Sequence, residues 1–525
     1  MEKFLPIGVQ DFGQMIGGNF VYVDKTQYVY QMARIPQAFY FLARPRRFGK
    51  SLLVSTLKAL FEGRKDLFQG LWIESSAWQW KPHSVITIDF NGVDAKDAET
   101  LEKSLISTLN GIAELHQVSL PEEVLPNKFV KLVRELRRIN GSSIAVLIDE
   151  YDKPIITHLG KGEAALKIAR ENREVLKKFF GVLKEAEVSA ALRFVFITGI
   201  SKFSKVGIFS DLNNLQDLSM QENYAGLLGY TNEELESYFE NWIAELARTQ
   251  HASSAEILQS LRDWYNGYRF TTKDLQVYNP FSILNVLAEK KFKNFWFETG
   301  TPSFLVNLIT EKDYPIPNIE SFQVQEMTFS TYELDNLRLE ALLFQAGYVT
   351  IYEFDGILYR LGYPNQEVKT SFLNYLYNTL VDIADPSLKV QFSRLHQYLA
   401  QEDITQFIET VNAILSSIPY TQIHGQDERY YHTVFYLMVS ASGVLVRTEA
   451  LASHGRMDMA VEFRDKVYII ELKCNQPAEE ALRQIKSKRY HEKYRQSGRK
   501  IRLLGINFDT KERSISDWRV ESLDV

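Results

Sequence analysis

One stretch constrains this chain more than any other: Phe39 to Ser51, FYFLARPRRFGKS. An apolar run leads into an arginine-rich loop containing Pro45, and the loop closes on Gly49-Lys50-Ser51. Leu52 to Phe61 then follows with the apolar spacing of an amphipathic helix. Strand, loop, Gly-Lys-Ser and helix, in that order, make a phosphate-binding loop. The first N–H groups of a helix have no intrahelical partner, so its start attracts phosphate. Lys50 brings a point charge for the β- and γ-phosphates, and the Ser51 hydroxyl a ligand for Mg²⁺. The general pattern places a glycine where Arg44 stands.

A second stretch supplies what such a loop needs. Ser143 to Asp152, SIAVLIDEYD, is a near-continuous apolar run of the kind found in a buried parallel strand, ending in carboxylates. Ligands of α/β sheets bind at the C-terminal strand ends. Asp149 is therefore expected to hold Mg²⁺ through water, and Glu150 to polarise the attacking water. A third apolar run, Leu192 to Gly199, ends near Thr198, which is expected to sense the γ-phosphate or orient water, or else to be an ordinary strand cap. Strands are also expected over 84–90, and helices over 27–34, 97–116 and 127–139.

Composition sets the outer limits. A chain of 525 residues with 45% hydrophobic content holds several domain cores. Its net charge of −6 does not mark a globally basic nucleic-acid binder, though it leaves room for a local basic surface. The single cysteine, Cys474, excludes an internal disulfide and a multi-cysteine metal site. No apolar run approaches the ~20 residues of a membrane span, and the N-terminus lacks a signal-like apolar segment. A soluble, cytoplasmic protein is expected.

RPRRFGKS, YVDKT, VLIDEYD and FVFITGISKFSKVGIFSDLNNLQDLS, taken together and in order, resemble the bacterial AAA-ATPase-like family, whose members commonly carry a C-terminal PD-(D/E)xK nuclease-like domain. That family also uses an arginine-rich loop without the first glycine. The resemblance implies ATP binding through Gly49, Lys50 and Ser51, flanked by Arg46, Arg47, Phe48 and Leu52, with Asp149 and Glu150 as the acidic pair. It implies a helical lid after the nucleotide core, over 219–300. Arg193 is a candidate arginine finger by position alone, as are Arg44, Arg46 and Arg47. Residues 301–400 read as a helical or winged-helix-like linker, with a hairpin across Phe354-Asp355-Gly356.

The C-terminal part carries a second site. Helices are expected over 403–417 and 427–441, then a strand over 444–449 and the segment Met457 to Lys473, MDMAVEFRDKVYIIELK. Side chains alternate along a strand, so Asp458, Ala460 and Glu462 share a face, as do Val467, Ile469, Glu471 and Lys473. A two-residue turn at Asp465-Lys466 would pair Asp458 with Lys473 and set Glu471 on the diagonal. Two carboxylates and an ammonium then converge. Asp458 and Glu471 suit Mg²⁺, and Lys473 suits orientation of the nucleophile or stabilisation of negative charge. This spacing is the PD-(D/E)xK signature. Gln484 lies on the following helix, where the family often carries a glutamine near the site; Glu428 and Glu449 are further acidic candidates. Arg483, Lys486, Lys488, Arg489, Lys493 and Arg495, with Tyr490 and Tyr494, form a segment able to grip a phosphate backbone, or simply a solvated face.

The expected architecture is α/β: a P-loop ATPase core over 1–218, lid over 219–300, linker over 301–400 and a restriction-endonuclease-like domain over 401–525. The expected activity is an ATPase with Mg²⁺ that gates a metal-dependent nuclease acting on DNA or RNA, with homo-oligomerisation open. The alternative is an ATP-dependent switch whose inactive nuclease fold contacts nucleic acid or a protein partner.

Overall fold

A computed structural model describes residues 3–523 apart from 203–207, 210–211, 297–302, 312–315, 330–336, 382–385, 418–427, 449–450, 453–454 and 457. The chain forms two compact units, Met1–Leu308 with Phe322–Glu367, and Ile309–Ser321 with Val368–Val525. The range 301–400 is therefore not a unit of its own, because it is divided between these two.

The first unit is built on a five-stranded parallel sheet of β1 (Ala38–Ala43), β2 (Ser84–Asp89), β3 (Ile144–Asp149), β4 (Leu192–Gly199) and β5 (Leu215–Asp217), in the order β2-β3-β4-β1-β5. Every residue of β1 and β3 is buried, which is why both read as unbroken apolar runs. The register brings strand ends level: Asp89 stands beside Asp149, Leu42 beside Thr198 and Ala43 beside Gly199. After β1 the chain turns through the loop and enters the helix Lys50–Phe61. Gly49 makes that turn at φ 94°, a conformation that favours glycine, and Arg47 adopts φ 65° two residues earlier.

Within 219–300, three helices, Asn232–Gln250, Ser254–Tyr265 and Pro280–Glu289, pack around a core that includes Leu235, Phe239, Leu261, Tyr265, Ile283 and Leu287. The YVDKT stretch fastens it: Lys25 donates to Glu234 at 2.6 Å and to the Gly226 carbonyl at 2.8 Å. The hairpin across Asp355-Gly356 is present as β7 (Thr350–Phe354) and β8 (Leu358–Gly362), and β6 (Phe322–Gln325) pairs with β8 on its other side. This small sheet belongs to the first unit because its entry packs on the phosphate loop. A Cβ at Gly347, where φ is 89°, would overlap Pro45 at 2.7 Å.

The second unit contains the helices Ile404–Ser417 and Glu428–Ala441 and a mixed sheet. Its strands are β9 (Leu445–Thr448), β12 (Met459–Glu462), β13 (Lys466–Cys474), β14 (Lys500–Asp509) and β15 (Ser514–Leu523), in the order β15-β14-β13-β12-β9. Between β9 and β12, β10 (Leu451–Ala452) and β11 (Gly455–Arg456) form a separate short ladder. Strands β13 and β14 are parallel, and the helix Ala478–Ser487 lies in the connection between them.

Candidate functional site

The phosphate loop is packed from behind. Arg44 is almost wholly buried: its Nη1 donates to the carbonyls of Ala43 (3.0 Å) and Ser219 (2.6 Å). The guanidinium carbon lies 4.3 Å from the centre of the Phe270 ring. Burial lowers its pKa to about 9, opposed by Asp217, so it stays charged at neutral pH. Arg44 therefore fills the glycine position of the general pattern as an internal strut, and it is not an arginine finger. Phe48 was expected beside the nucleotide, but its side chain is buried against Tyr268 and Phe270, with ring centres 4.8 and 5.5 Å away. Arg46 and Arg47 are exposed; the Trp296 indole N–H holds the Arg46 carbonyl at 3.1 Å, and Arg47 lies over Phe281. Leu52 is part-buried in the first turn of the helix.

Lys50 is buried, with its ammonium 3.1 Å from the carbonyl oxygens of Arg44 and Pro45 and 3.9 Å from Glu150. The Ser51 hydroxyl hydrogen-bonds Asp149, whose carboxyl burial pushes up to about 6. The Glu150 N–H donates to Asp149 Oδ1 at 2.9 Å. Glu150 itself takes φ 53°, a strained backbone for a residue with a side chain. Lys50, Ser51, Asp149 and Glu150 are thus brought together as expected.

At this edge Thr198 takes the second of its two expected roles, and the placement of Arg193 needs correction. The Thr198 hydroxyl is buried between β1 and β4, where it donates to the Leu42 carbonyl at 2.7 Å, so it caps the strand pair. Arg193 sits at the other end of β4 and donates to the carbonyls of Ala33 and Ile35 at 2.7 Å each. That placement removes it as an arginine finger for Lys50 and Glu150.

In the second unit the hairpin register differs by two residues from the expected one. Met459 pairs with Ile470 and Glu462 with Val467, and the Phe463 N–H donates to the Lys466 carbonyl at 2.8 Å. The turn is therefore Arg464-Asp465. Lys466 belongs to the strand because its ammonium is buried, donating to the Ala400 carbonyl at 2.6 Å and facing Glu402 at 3.4 Å. Continuing this register sets Asp458 opposite Glu471 rather than Lys473. A shift of two leaves every side chain on its original face, so the convergence survives. Asp458 Oδ2 accepts the Leu472 N–H at 2.7 Å.

Glu471 is almost fully buried, and its Oε1 accepts from Gln484 and lies 3.4 Å from the Lys473 ammonium. Its Oε2 is buried with no hydrogen-bond partner. Burial first, and the neighbouring Asp458 second, push its pKa up to about 8, with Lys473 opposing. Two hard carboxylates and an orphaned buried acceptor fit a divalent cation of the Mg²⁺ class, which binds through one or two carboxylates and takes its remaining ligands from water and substrate phosphate. Among the described residues no group of three or more His, Cys, Asp or Glu side chains is assembled for a metal.

His432, which sequence reasoning passed over, places Nδ1 3.7 Å from Asp458 Oδ1. The signal was present: it stands four residues after Glu428 on one helix, and so on the same face. The Glu428 side chain and Glu449 lie outside the described residues. Tyr490, also missed as a site neighbour, hydrogen-bonds Gln484. The proposed aromatic grip is withdrawn, because Tyr490 and Tyr494 are buried in the core with Ala460, Val467 and Leu503. Arg483 pairs with Glu480 and Lys486 with Glu521, while Lys488, Lys493 and Arg495 are exposed.

Comparison with known proteins bears on two stretches of the chain. Residues 6–209 match the family model described as Predicted AAA-ATPase. Residues 426–518 match the PD-(D/E)XK nuclease superfamily. A relative from Azotobacter chroococcum mcd 1, named "Uncharacterized protein in vnfD 5'region", is 39% identical over 535 residues, covering 99% of each chain.

Proposed function

Because the chain belongs to the AAA-ATPase-like family with a C-terminal domain of the PD-(D/E)XK nuclease superfamily, we propose that it hydrolyses ATP at its first site and cuts DNA or RNA phosphodiesters at its second. The observation that carries the nuclease reading is the opposition of Asp458 and Glu471 on one hairpin face, with Lys473 and Gln484 on the Glu471 carboxylate.

At the first site the loop from Arg46 to Leu52 receives the phosphates on its backbone N–H groups. Lys50 exchanges the Arg44 and Pro45 carbonyls for phosphate oxygens. Ser51 and Asp149 would hold Mg²⁺, and Glu150 orients the attacking water. At the second site Asp458 and Glu471 would hold the cation. Lys473, beside Glu471, is placed to steady the nucleophile or the charge that develops on phosphate. Gln484 orients the Glu471 carboxylate. Bound Mg²⁺ supplies Lewis acidity and lowers the pKa of its water. The exposed Lys488, Lys493 and Arg495 offer charge to a nucleic-acid backbone. The working location is the cytoplasm; among the described residues no helix is long and apolar enough to cross a membrane.

The test is a cleavage assay on single- and double-stranded DNA and RNA with Mg²⁺ or Mn²⁺, with and without ATP, comparing wild type with Asp458→Ala. Cutting by the wild type alone supports the reading. Nucleic acid bound but uncut under every condition overturns the nuclease half and selects a binding module. Light scattering on the same preparation reads whether the protein is a monomer or a homo-oligomer.

A further inference from the structure

The last carboxylate of the Asp149–Asp152 run has no role in the reading above. Asp152 is fully buried. Its Oδ2 accepts three hydrogen bonds from the exit of β4: the N–H groups of Ile200 (3.0 Å) and Ser201 (2.7 Å), and the Ser201 hydroxyl (2.5 Å). The neighbouring Tyr151 hydroxyl donates to the Ser201 carbonyl at 2.8 Å. The approach is so close that only glycine fits at position 199, where a Cβ would collide with Asp152 Oδ1 and the Tyr151 ring.

The line of contacts continues inward. Lys202, next after Ser201, pairs its buried ammonium with Asp217 at 3.0 Å. Asp217 Oδ1 accepts the Ser219 N–H at 2.8 Å. Ser219 in turn accepts the Ala43 N–H on its hydroxyl at 2.9 Å and the Arg44 guanidinium on its carbonyl at 2.6 Å. The Arg44 carbonyl then holds Lys50. A connected set of polar contacts, buried except at the half-buried Asp217, thus runs from the acidic strand end to the phosphate-loop lysine.

The sheet order shows why such a set is needed. Lys50 follows β1 and Asp149 ends β3, and these strands are not neighbours; β4 lies between them and β5 flanks β1. No ladder hydrogen bond joins the loop directly to Asp149 and Glu150; the backbone connection runs through β4, where the Arg44 N–H donates to the Gly199 carbonyl and the Tyr151 N–H to the Thr198 carbonyl, each at 3.2 Å. Side chains at the exits of β4 and β5 reinforce that tie, beside the direct Ser51–Asp149 hydrogen bond and the 3.9 Å approach of Lys50 to Glu150, and inside the protein such bonds are strengthened by the low local dielectric.

We propose that Asp152 is a positioning residue of the ATP site, acting through Lys202, Asp217 and Ser219 to keep the phosphate loop in register with Asp149 and Glu150. The proposal rests on the ATPase reading. Misplacing reacting groups by about 1 Å costs on the order of 100-fold in rate, so the effect belongs in turnover more than in nucleotide binding.

The experiment measures steady-state ATP hydrolysis and equilibrium binding of a fluorescent ATP analogue for wild type, Asp152→Ala, Asp152→Asn, Lys202→Met and Asp152→Ala/Lys202→Met. Asp152→Ala and Lys202→Met should each lower kcat at least about tenfold while changing analogue affinity less than about threefold. Asp152→Asn, which keeps an acceptor oxygen, should recover at least about a third of the wild-type kcat. The double variant should be little worse than either single one, because both cut one line of contacts. Wild-type kcat in Lys202→Met, or fully additive losses, would overturn the proposal. If Asp152→Ala does not yield folded protein, Lys202→Met with Asp152→Asn decides by the same kcat and affinity criteria. A wild type that binds the analogue without turnover overturns the ATPase reading and this proposal with it; a hydrolysing wild type with indifferent variants overturns this proposal alone.

Discussion

Lys50 donates its ammonium to the carbonyl oxygen of Arg44 at 3.1 Å, turning the charge of the phosphate loop onto the backbone of the loop itself. The Pro45 carbonyl takes a second bond at the same distance. A bound phosphate would therefore replace existing partners, and the lysine needs no solvent-exposed resting position. Lys50→Ala should weaken ATP binding at least about tenfold, or about 1.4 kcal/mol, in a fluorescence titration. Unchanged affinity would remove the loop from the nucleotide site.

Arg44 provides a sharper trial, since Arg44→Gly restores the general phosphate-loop pattern. A decayed glycine position would accept that change and bind ATP at least as well. The strut geometry predicts the opposite. Loss of the Ser219 bond and of the Phe270 contact, with a cavity left behind, should destabilise the first unit by about 2–4 kcal/mol. Arg44→Met, which keeps most of the volume, should cost less. Chemical denaturation of the three proteins orders them.

At the second site Asp458→Ala and Lys473→Ala should each reduce cleavage at least about 100-fold. Asp458→Ala also frees the Leu472 N–H, at a cost of about 1 kcal/mol in stability. Cleavage rates and unfolding curves measured together separate chemistry from folding. Retained cutting in either variant would show that phosphodiester hydrolysis occurs elsewhere.

Glu471 predicts a pH dependence. Its folded-state pKa is raised by burial to about 8 from an ordinary value of 4.5, so the folded state binds its proton more tightly than the unfolded chain. The resulting stabilisation is complete below the unfolded pKa and is lost as pH rises through the folded one. Without divalent metal, the second unit should lose thermal stability between about pH 5 and pH 8, and Glu471→Gln should flatten that decline. Mg²⁺ needs the carboxylate, so added Mg²⁺ should stabilise wild type more at the upper end of this window. Parallel pH profiles for wild type and Glu471→Gln would refute the assignment.

Much of the architecture was legible because burial leaves a periodic mark. The runs 39–43, 144–149 and 192–199 are apolar throughout, and all three are strands of one parallel sheet. The helices expected at 97–116 and 127–139 occur as Ala98–Leu115 and Leu125–Asn140. The convergence of Asp458, Glu471 and Lys473 was also legible, since alternation fixes the face. Their register was not. Assigning Lys466 to the turn was reasonable for an exposed lysine, and only Ala400 and Glu402, more than sixty residues earlier, draw it into the strand.

By itself the sequence determined which segments become strands and helices, which carboxylates end them, and which face each side chain of the C-terminal hairpin presents, because these follow from local geometry and apolar periodicity. Tertiary structure alone decided where these polar side chains point. Arg44 turns inward to Ser219 and Phe270, Thr198 to Leu42, Tyr490 and Tyr494 into the core, and Asp152 across to Ser201. A buried polar group goes where its hydrogen bonds are met, and those partners come from strands and loops that sequence spacing does not bring together.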